Sequence, residues 1–164
     1  MKKILYFIPE FPRLTETFIE REISKLIEFG NLDIQVFSLA KASGKTSEEV
    51  LARTTYKRIG VLDVISSIPF FFQNYTKIPE LWNEYASNTN ASLIRKIWFF
   101  YKAIVYCFIF SKYSLDHIHV HFASYSSTIV YFASKLMGIP YSISCHAKDV
   151  FVDAELIFQK ADSA

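Results

Sequence analysis

Apolar and polar positions follow two different periods along this chain, and the switches between them predict an α/β element order. Residues 3–8, Lys-Ile-Leu-Tyr-Phe-Ile, form a nearly continuous apolar run closed by Pro9, the pattern of a strand buried on both faces of a parallel sheet. A helical period follows over 15–29. Phe18, Ile19, Ile23, Leu26 and Ile27 share one face, Thr17 and Glu20 have capping-box spacing, and Gly30 offers a left-handed stop. Residues 34–39 then read as a second strand, and a β-α-β opening requires a parallel pair joined by a right-handed crossover.

From 40 to 60 the chain is polar and basic, with Ser43-Gly44 as a turn and Ser47-Glu48-Glu49 as the start of a basic helix reaching Arg58. Residues 61–88 and 91–113 read as aromatic helices broken near Pro69, Pro79 and 88–90, because proline removes a donor and biases its predecessor away from the helix. Alternation returns at 117–122, His-Ile-His-Val-His-Phe, as a strand. A helix over 125–137 stops at Gly138-Ile139-Pro140, a strand follows over 141–145, residues 146–149 form its exit loop, and a last helix is expected over 150–158. No internal repeat is present. With 164 residues, one domain is expected, and its class is α/β with a Rossmann-like doubly wound parallel sheet.

Composition sharpens this picture in one place. The content is 51% hydrophobic and 21% charged, which excludes a disordered tail, and the net charge of +2 is too balanced to imply nucleic acid. The charge is uneven, however: residues 41–113 carry ten basic and five acidic groups, and 61–113 hold 14 of the 28 aromatics. Cations among Trp, Tyr and Phe suit a membrane–water interface or a polyanionic partner, while buried helices with solvated Lys and Arg would give the same composition. The longest apolar stretch, 97–110, contains Lys102 and is too short to cross a bilayer, so contact with a membrane would be peripheral. Two cysteines, Cys107 and Cys145, make no disulfide framework or C-x-x-C motif, and the short apolar run after Lys2 and Lys3 is no signal peptide. The expected location is therefore cytoplasmic.

Ligands of open α/β sheets bind beyond the carboxyl ends of the strands, which directs attention to residues 9–17, 122–126 and 146–149. Arg13, Thr15, Glu16 and Thr17 stand at a predicted helix N-terminus, where free N–H groups favour a phosphate or hydroxyl-rich ligand or are simply capped. Neither G-x-G-x-x-G nor G-x-x-x-x-G-K-S/T occurs, so close backbone approach to a nucleotide phosphate is unsupported. His117, His119 and His121 share one strand face. A metal reading would combine His119, His121, His146 and Asp149, but no H-E-x-x-H or Cys cluster accompanies them, and neither metal nor cofactor is expected. His117 and His119 read as structural, while His121 and His146, ending adjacent strands, could face one cleft with Asp149. A Ser144–His146–Asp149 triad lacks the G-x-S-x-G turn, and the E-x7-E spacing of Glu20 and Glu28 falls on a charged helix face with Arg21 and Lys25.

Two segments resemble the N-terminal half of family-4-like glycosyltransferases with the GT-B fold, of the bacterial polysaccharide-assembly type. Residues 11–23, F-P-R-L-T-E-T-F-I-E-R-E-I, are similar to the F-P-x-L-S/T-E-T-F-I-x-x-E-I opening of that group. H-V-H-F-A at 119–123, G-I-P at 138–140 and H-A-K-D at 146–149 resemble its H-x-H-F-A, G-x-P and H-A-x-D elements in order and spacing. No such motif occurs over 41–113. The resemblance implies metal-independent sugar transfer, usually retaining, from a nucleotide-sugar donor to a sugar or lipid-linked acceptor. It implies that residues 1–164 are the acceptor-side domain, truncated before the donor-binding domain and inactive alone. It gives His146 a catalytic contact with the transferred sugar or its phosphate, places Arg13, Thr15, Glu16 and Thr17 along the first loop, and makes His121 and Asp149 supports of the cleft. Docking on an anionic membrane surface is the further partner it implies, with no nucleic acid. Two alternatives remain: a non-catalytic binding or assembly module with the same domain, and a His-ligated metal hydrolase.

Overall fold

The computed structural model describes residues 1–145 and 156–164. Its centre is one all-parallel sheet of order β3-β2-β1-β4-β5, made of β1 (Lys2–Phe11), β2 (Leu32–Lys41), β3 (Thr54–Tyr56), β4 (His117–His121) and β5 (Tyr141–Ser144). The chain winds from β1 outward through β2 to β3, then returns to lay β4 along the other side of β1. This reversal makes the β1/β4 boundary the topological switch point of a Rossmann-like sheet, as the sequence pattern predicts.

Strand alternation sends side chains to two layers. Leu5 and Phe7 of β1, with Ile118 and Val120 of β4, face α6 (Leu93–Ser111) and α7 (Tyr125–Met137), and this side holds the larger core. Phe7, Phe37 and Phe110 meet there with centroid distances of 5.2–6.0 Å, two of the three pairs edge to face, a favoured aromatic geometry. The opposite face, with Tyr6, Ile8, Ile34 and Val36, packs on Ile19 and Ile23 of α1 (Thr17–Glu28) and on Val50 of α2 (Glu48–Ala52). Outside α6 lie α3 (Val61–Ser66), α4 (Ile68–Gln73) and α5 (Lys77–Asn88), joined to it by Phe70–Phe108 and Trp82–Phe100 contacts; α8 (Ile157–Ser163) lies against α7.

Several expectations are corrected. The basic helix over 47–58 is only α2, capped by Ser47 Oγ accepting from the Val50 N–H; Thr54-Thr55-Tyr56, β-branched and aromatic, then pair with Val36–Ser38 as an edge strand. The Thr17–Glu20 capping box does not form. Helix α1 begins at Thr17 with Glu16 as its N-cap residue and no side-chain cap, while Glu20 accepts from Ser24 Oγ (3.0 Å) and the Ser47 N–H (3.3 Å), tying α1 to the start of α2. The breaks expected near Pro69, Pro79 and 88–90 are present, between α3 and α4, α4 and α5, and α5 and α6; Pro69 and Pro79 sit in the first turns of α4 and α5, where a missing N–H costs nothing. Gly30 and Gly138 do take left-handed φ of 70° after α1 and α7. The final helix expected over 150–158 lies largely outside the described residues.

The Ser43-Gly44 turn holds the loop entering α1. Gly44 donates its N–H to the Pro12 carbonyl at 2.8 Å, and a Cβ there would lie 2.6 Å from that oxygen and 2.9 Å from the Arg13 carbonyl carbon. Gly44→Ala must therefore push backbone against backbone, and it is expected to cost about 1–3 kcal/mol in denaturant unfolding. An unchanged midpoint would show that the Pro12–Arg13 segment yields freely.

Candidate functional site

Register assembles a polar row where a parallel sheet is ordinarily apolar on both faces. On the α1 side, Tyr6 of β1 stands opposite His119 of β4, which stands opposite Ser142 of β5, and His121 is opposite Ser144. Ser142 Oγ lies 2.8 Å from His117 Nε2 and 2.7 Å from His119 Nδ1. A hydroxyl has one proton, so Ser142 donates to one ring and accepts from the other, which couples the tautomers of the two histidines. His119 Nε2 is 3.2 Å from Ser144 Oγ, completing the hold on that ring.

Glu22 reaches this row from above. It follows Phe18 by four residues on α1, next to the Ile19 and Ile23 face that anchors the helix to the sheet. Tyr6 donates its phenolic proton to Glu22 Oε1 at 2.7 Å, and His121 Nε2 lies 3.5 Å from Glu22 Oε2. His121 is buried, with the Phe18 ring edge-on at 5.9 Å and the His119 ring at 4.9 Å. The His121 imidazole, with the Tyr6 hydroxyl, outweighs desolvation and holds the Glu22 carboxyl down to about 2. Burial, then the neighbouring His121, lowers His119 to about 4, and burial pushes the Tyr6 phenol well up. At neutral pH the cluster therefore combines a carboxylate with a neutral His119, a set suited to hydrogen-bonding hydroxyl groups.

Just beyond, the backbone is strained and pinned. Phe122 has φ of 73°, the left-handed region that a bulky side chain rarely takes, and its N–H donates to the Ser144 carbonyl. Lys160, almost fully buried on α8, donates to the carbonyls of Ala123 and Ser124 at 3.2 and 3.3 Å. Strain of this kind persists where surrounding structure enforces it, often at ligand sites.

Glu22, His119 and His121 also offer three potential metal ligands within 4.8 Å of one another. A tetrahedral divalent ion with bonds near 2.0–2.1 Å wants its ligands about 3.3 Å apart, so the set would have to contract slightly. Half of the ligand set considered from sequence, His119 and His121, thus meets a carboxylate that the sequence pattern did not single out.

Of the other residues expected at the site, Arg13 is held by Glu16 (3.0 Å) and Glu10 (3.4 Å), which neutralises the cation expected to face a phosphate. Thr15 and Thr17 are exposed beside it, and Glu16 is half-buried. His121 is at the centre of the cluster. His119, read from sequence as structural, belongs to the same cluster. His146 and Asp149 lie outside the described residues. The sequence pattern did not single out Tyr6, Glu22, Ser142 or Lys160, and it raised Ser144 only as a triad member. Only Glu22 carried a local signal, four residues after Phe18 within the 11–23 segment; the rest depend on strand register or on a long-range contact.

No family model matches the chain, and neither a curated protein nor a solved structure matches it.

Proposed function

We propose that this chain is the acceptor-side domain of a family-4-like glycosyltransferase of GT-B architecture, serving sugar transfer from a nucleotide-sugar donor to a sugar or lipid-linked acceptor. One observation carries the reading: segments 11–23 and 119–123, which bear the resemblance, meet through Glu22 and His121 at the switch point of the sheet. Similar sequence motifs brought face to face across separate elements are what a shared site requires. Departure of a nucleoside diphosphate generates negative charge and an oxocarbenium-like sugar, so such a site needs oriented hydrogen-bonding groups and phosphate-directed donors.

In this reading His146 contacts the transferred sugar or its phosphate, and Asp149 supports the cleft. Arg13, Thr15, Glu16 and Thr17 border the acceptor, while Glu22 positions His121 through the contact at 3.5 Å. Most donor contacts come from a second domain, and the basic aromatic segment rests on the anionic inner face of the cell membrane. Among the described residues no helix is long and apolar enough to cross a membrane. The intact mass of the endogenous polypeptide tests the half-enzyme claim: it is expected near twice the 19.0 kDa of this chain. An endogenous 19.0 kDa protein would overturn that claim and favour a binding or assembly module.

The convergence of Glu22, His119 and His121 favours one second reading, a metal hydrolase. In the reading adopted here Tyr6 already bonds Glu22 and the serine hydroxyls already hold His119, and elemental analysis of protein purified without chelators is expected to find zinc and iron far below stoichiometric. A full equivalent that survives dialysis would promote the hydrolase.

A further inference from the structure

A second feature lies away from the switch point, between α4, α5 and α6. A groove of about 460 Å³ opens there, lined by Phe71, Trp82, Ile97, Phe100, Tyr101 and Val105 among others. That volume falls within the roughly 300–1,000 Å³ of small-molecule sites. The lining carries two hydroxyls, that of Ser67, which is spent on the Val64 carbonyl at 2.7 Å, and that of Tyr101, a half-exposed ring that also belongs to the outer stripe. A glycan, nucleotide or peptide backbone placed here would lose most of its hydration for at most one hydrogen bond from Tyr101, whereas a hydrocarbon chain asks for none.

The rim extends this apolar surface outward. Ile94, Ile97, Trp98 and Tyr101 stand at helical spacing on α6 and are all exposed, Trp98 by 60% and Ile94 by 80%. Across the groove Phe72 is 68% exposed and touches Phe71, and Ile65 and Ile68 continue the surface. So large a patch on a folded chain marks an interaction site. Its charge selects the occupant. Lys102 places its ammonium 5.3 Å from the Trp98 ring centre, and Arg95 is exposed on the same half of α6. Two of the three carboxylates between 61 and 113 are turned away from solvent-borne partners, Asp63 onto Lys57 and Glu84 onto Tyr131. Aromatic rings with cations along one exposed helix face match the interfacial zone of an anionic bilayer.

We propose that the α4–α5–α6 groove takes one hydrocarbon chain of an anionic phospholipid while α4 and the amino-terminal half of α6 lie in the membrane–water interface. This rests on the peripheral-membrane part of the reading above and is independent of sugar transfer. It places the chain's two tryptophans at different depths, Trp98 on the outer stripe and Trp82 in the groove wall.

Trp98→Phe and Trp82→Phe each leave a single reporter, and vesicles of phosphatidylcholine and phosphatidylglycerol brominated along the acyl chain act as quencher. Both reporters are expected to lose emission on anionic vesicles, with binding weakened by salt and by omission of phosphatidylglycerol. Brominated lysophosphatidylglycerol, kept below its micelle threshold, is expected to quench Trp82 saturably at one molecule per protein. Quenching of Trp98 without Trp82, or non-saturating loss of Trp82 emission, would overturn occupancy of the groove and leave membrane attachment standing. Failure to co-sediment with anionic vesicles would overturn both. A concentration-dependent dimer that shields Trp98 and binds no vesicles would assign the face to a second copy of the chain instead.

Discussion

Between pH 7 and pH 4 the folded chain is expected to lose about 3 kcal/mol of stability through His119 alone. Burial and the adjacent His121 lower His119 from 6.5 to about 4 in the folded state, and each unit of displacement is worth about 1.4 kcal/mol. The unfolded chain binds this proton first, so the stability is whole above 6.5, declines as pH falls through the interval, and is gone below about 4. Glu22 adds a later stage. Its carboxyl is held down to about 2, so its contribution is present above the ordinary carboxyl value and lost as pH falls toward 2. Glu22 is more than a third exposed, and solvent screening makes this stage the smaller one. Urea unfolding of wild type and His119→Gln at pH 7 and pH 4 separates the two: the variant should show a much shallower decline. Equal declines would mean that His119 titrates normally and is not held neutral in the polar row.

Phe110→Ala is expected to cost about 3–5 kcal/mol, enough to leave so small a domain marginal. The ring is fully buried and meets Phe7 edge-on at 5.2 Å and Phe37 at 5.3 Å, so truncation opens a cavity between α6 and the two central strands. Those strands carry Tyr6 and position β4, so loosening here should also broaden the resonances of His119 and His121. By contrast Phe72→Ser, on the exposed side of α4, should change the unfolding free energy by less than about 0.5 kcal/mol. A Phe110→Ala cost near that of Phe72→Ser would show that the aromatic cluster does not hold the sheet to α6.

The elements legible in the sequence were those with a long, unambiguous period. Residues 3–8, 34–39 and 117–122 announced β1, β2 and β4, and the Gly138 stop marked the end of α7. Strand β3 escaped because three residues are too few to show a period, and its neighbours Ser47-Glu48-Glu49 looked like the start of a longer helix. The prolines did mark the breaks in the aromatic region, because each stands in the first turn of the helix that follows the break. The capping box failed because Glu20 found better partners in Ser24 and Ser47, the latter distant in sequence.

The site was half legible. A histidine every second residue on one strand face was visible, and His121 was singled out by its place at the strand end. What no local pattern could give was the row Tyr6–His119–Ser142, which exists only through the registers of β1 with β4 and of β4 with β5. Glu22 was not singled out by any sequence pattern; its role follows from how Ile19 and Ile23 seat α1 over the β1/β4 boundary.

If the chain is the proposed acceptor-side domain, the acceptor binds at the β1/β4 switch point. A ¹⁵N NMR titration of the chain with a polyprenyl diphosphate-linked sugar in vesicles, alongside UDP-glucose and GDP-mannose, reads this at residue level. The lipid-linked sugar is expected to shift the amides of Arg13 to Thr17 and of His121 to Ser124 together with the His119 and His121 ring nitrogens, while either nucleotide sugar alone leaves them in place. Saturable shifts at these residues from a nucleotide sugar alone, or none from the lipid-linked sugar, would contradict this placement.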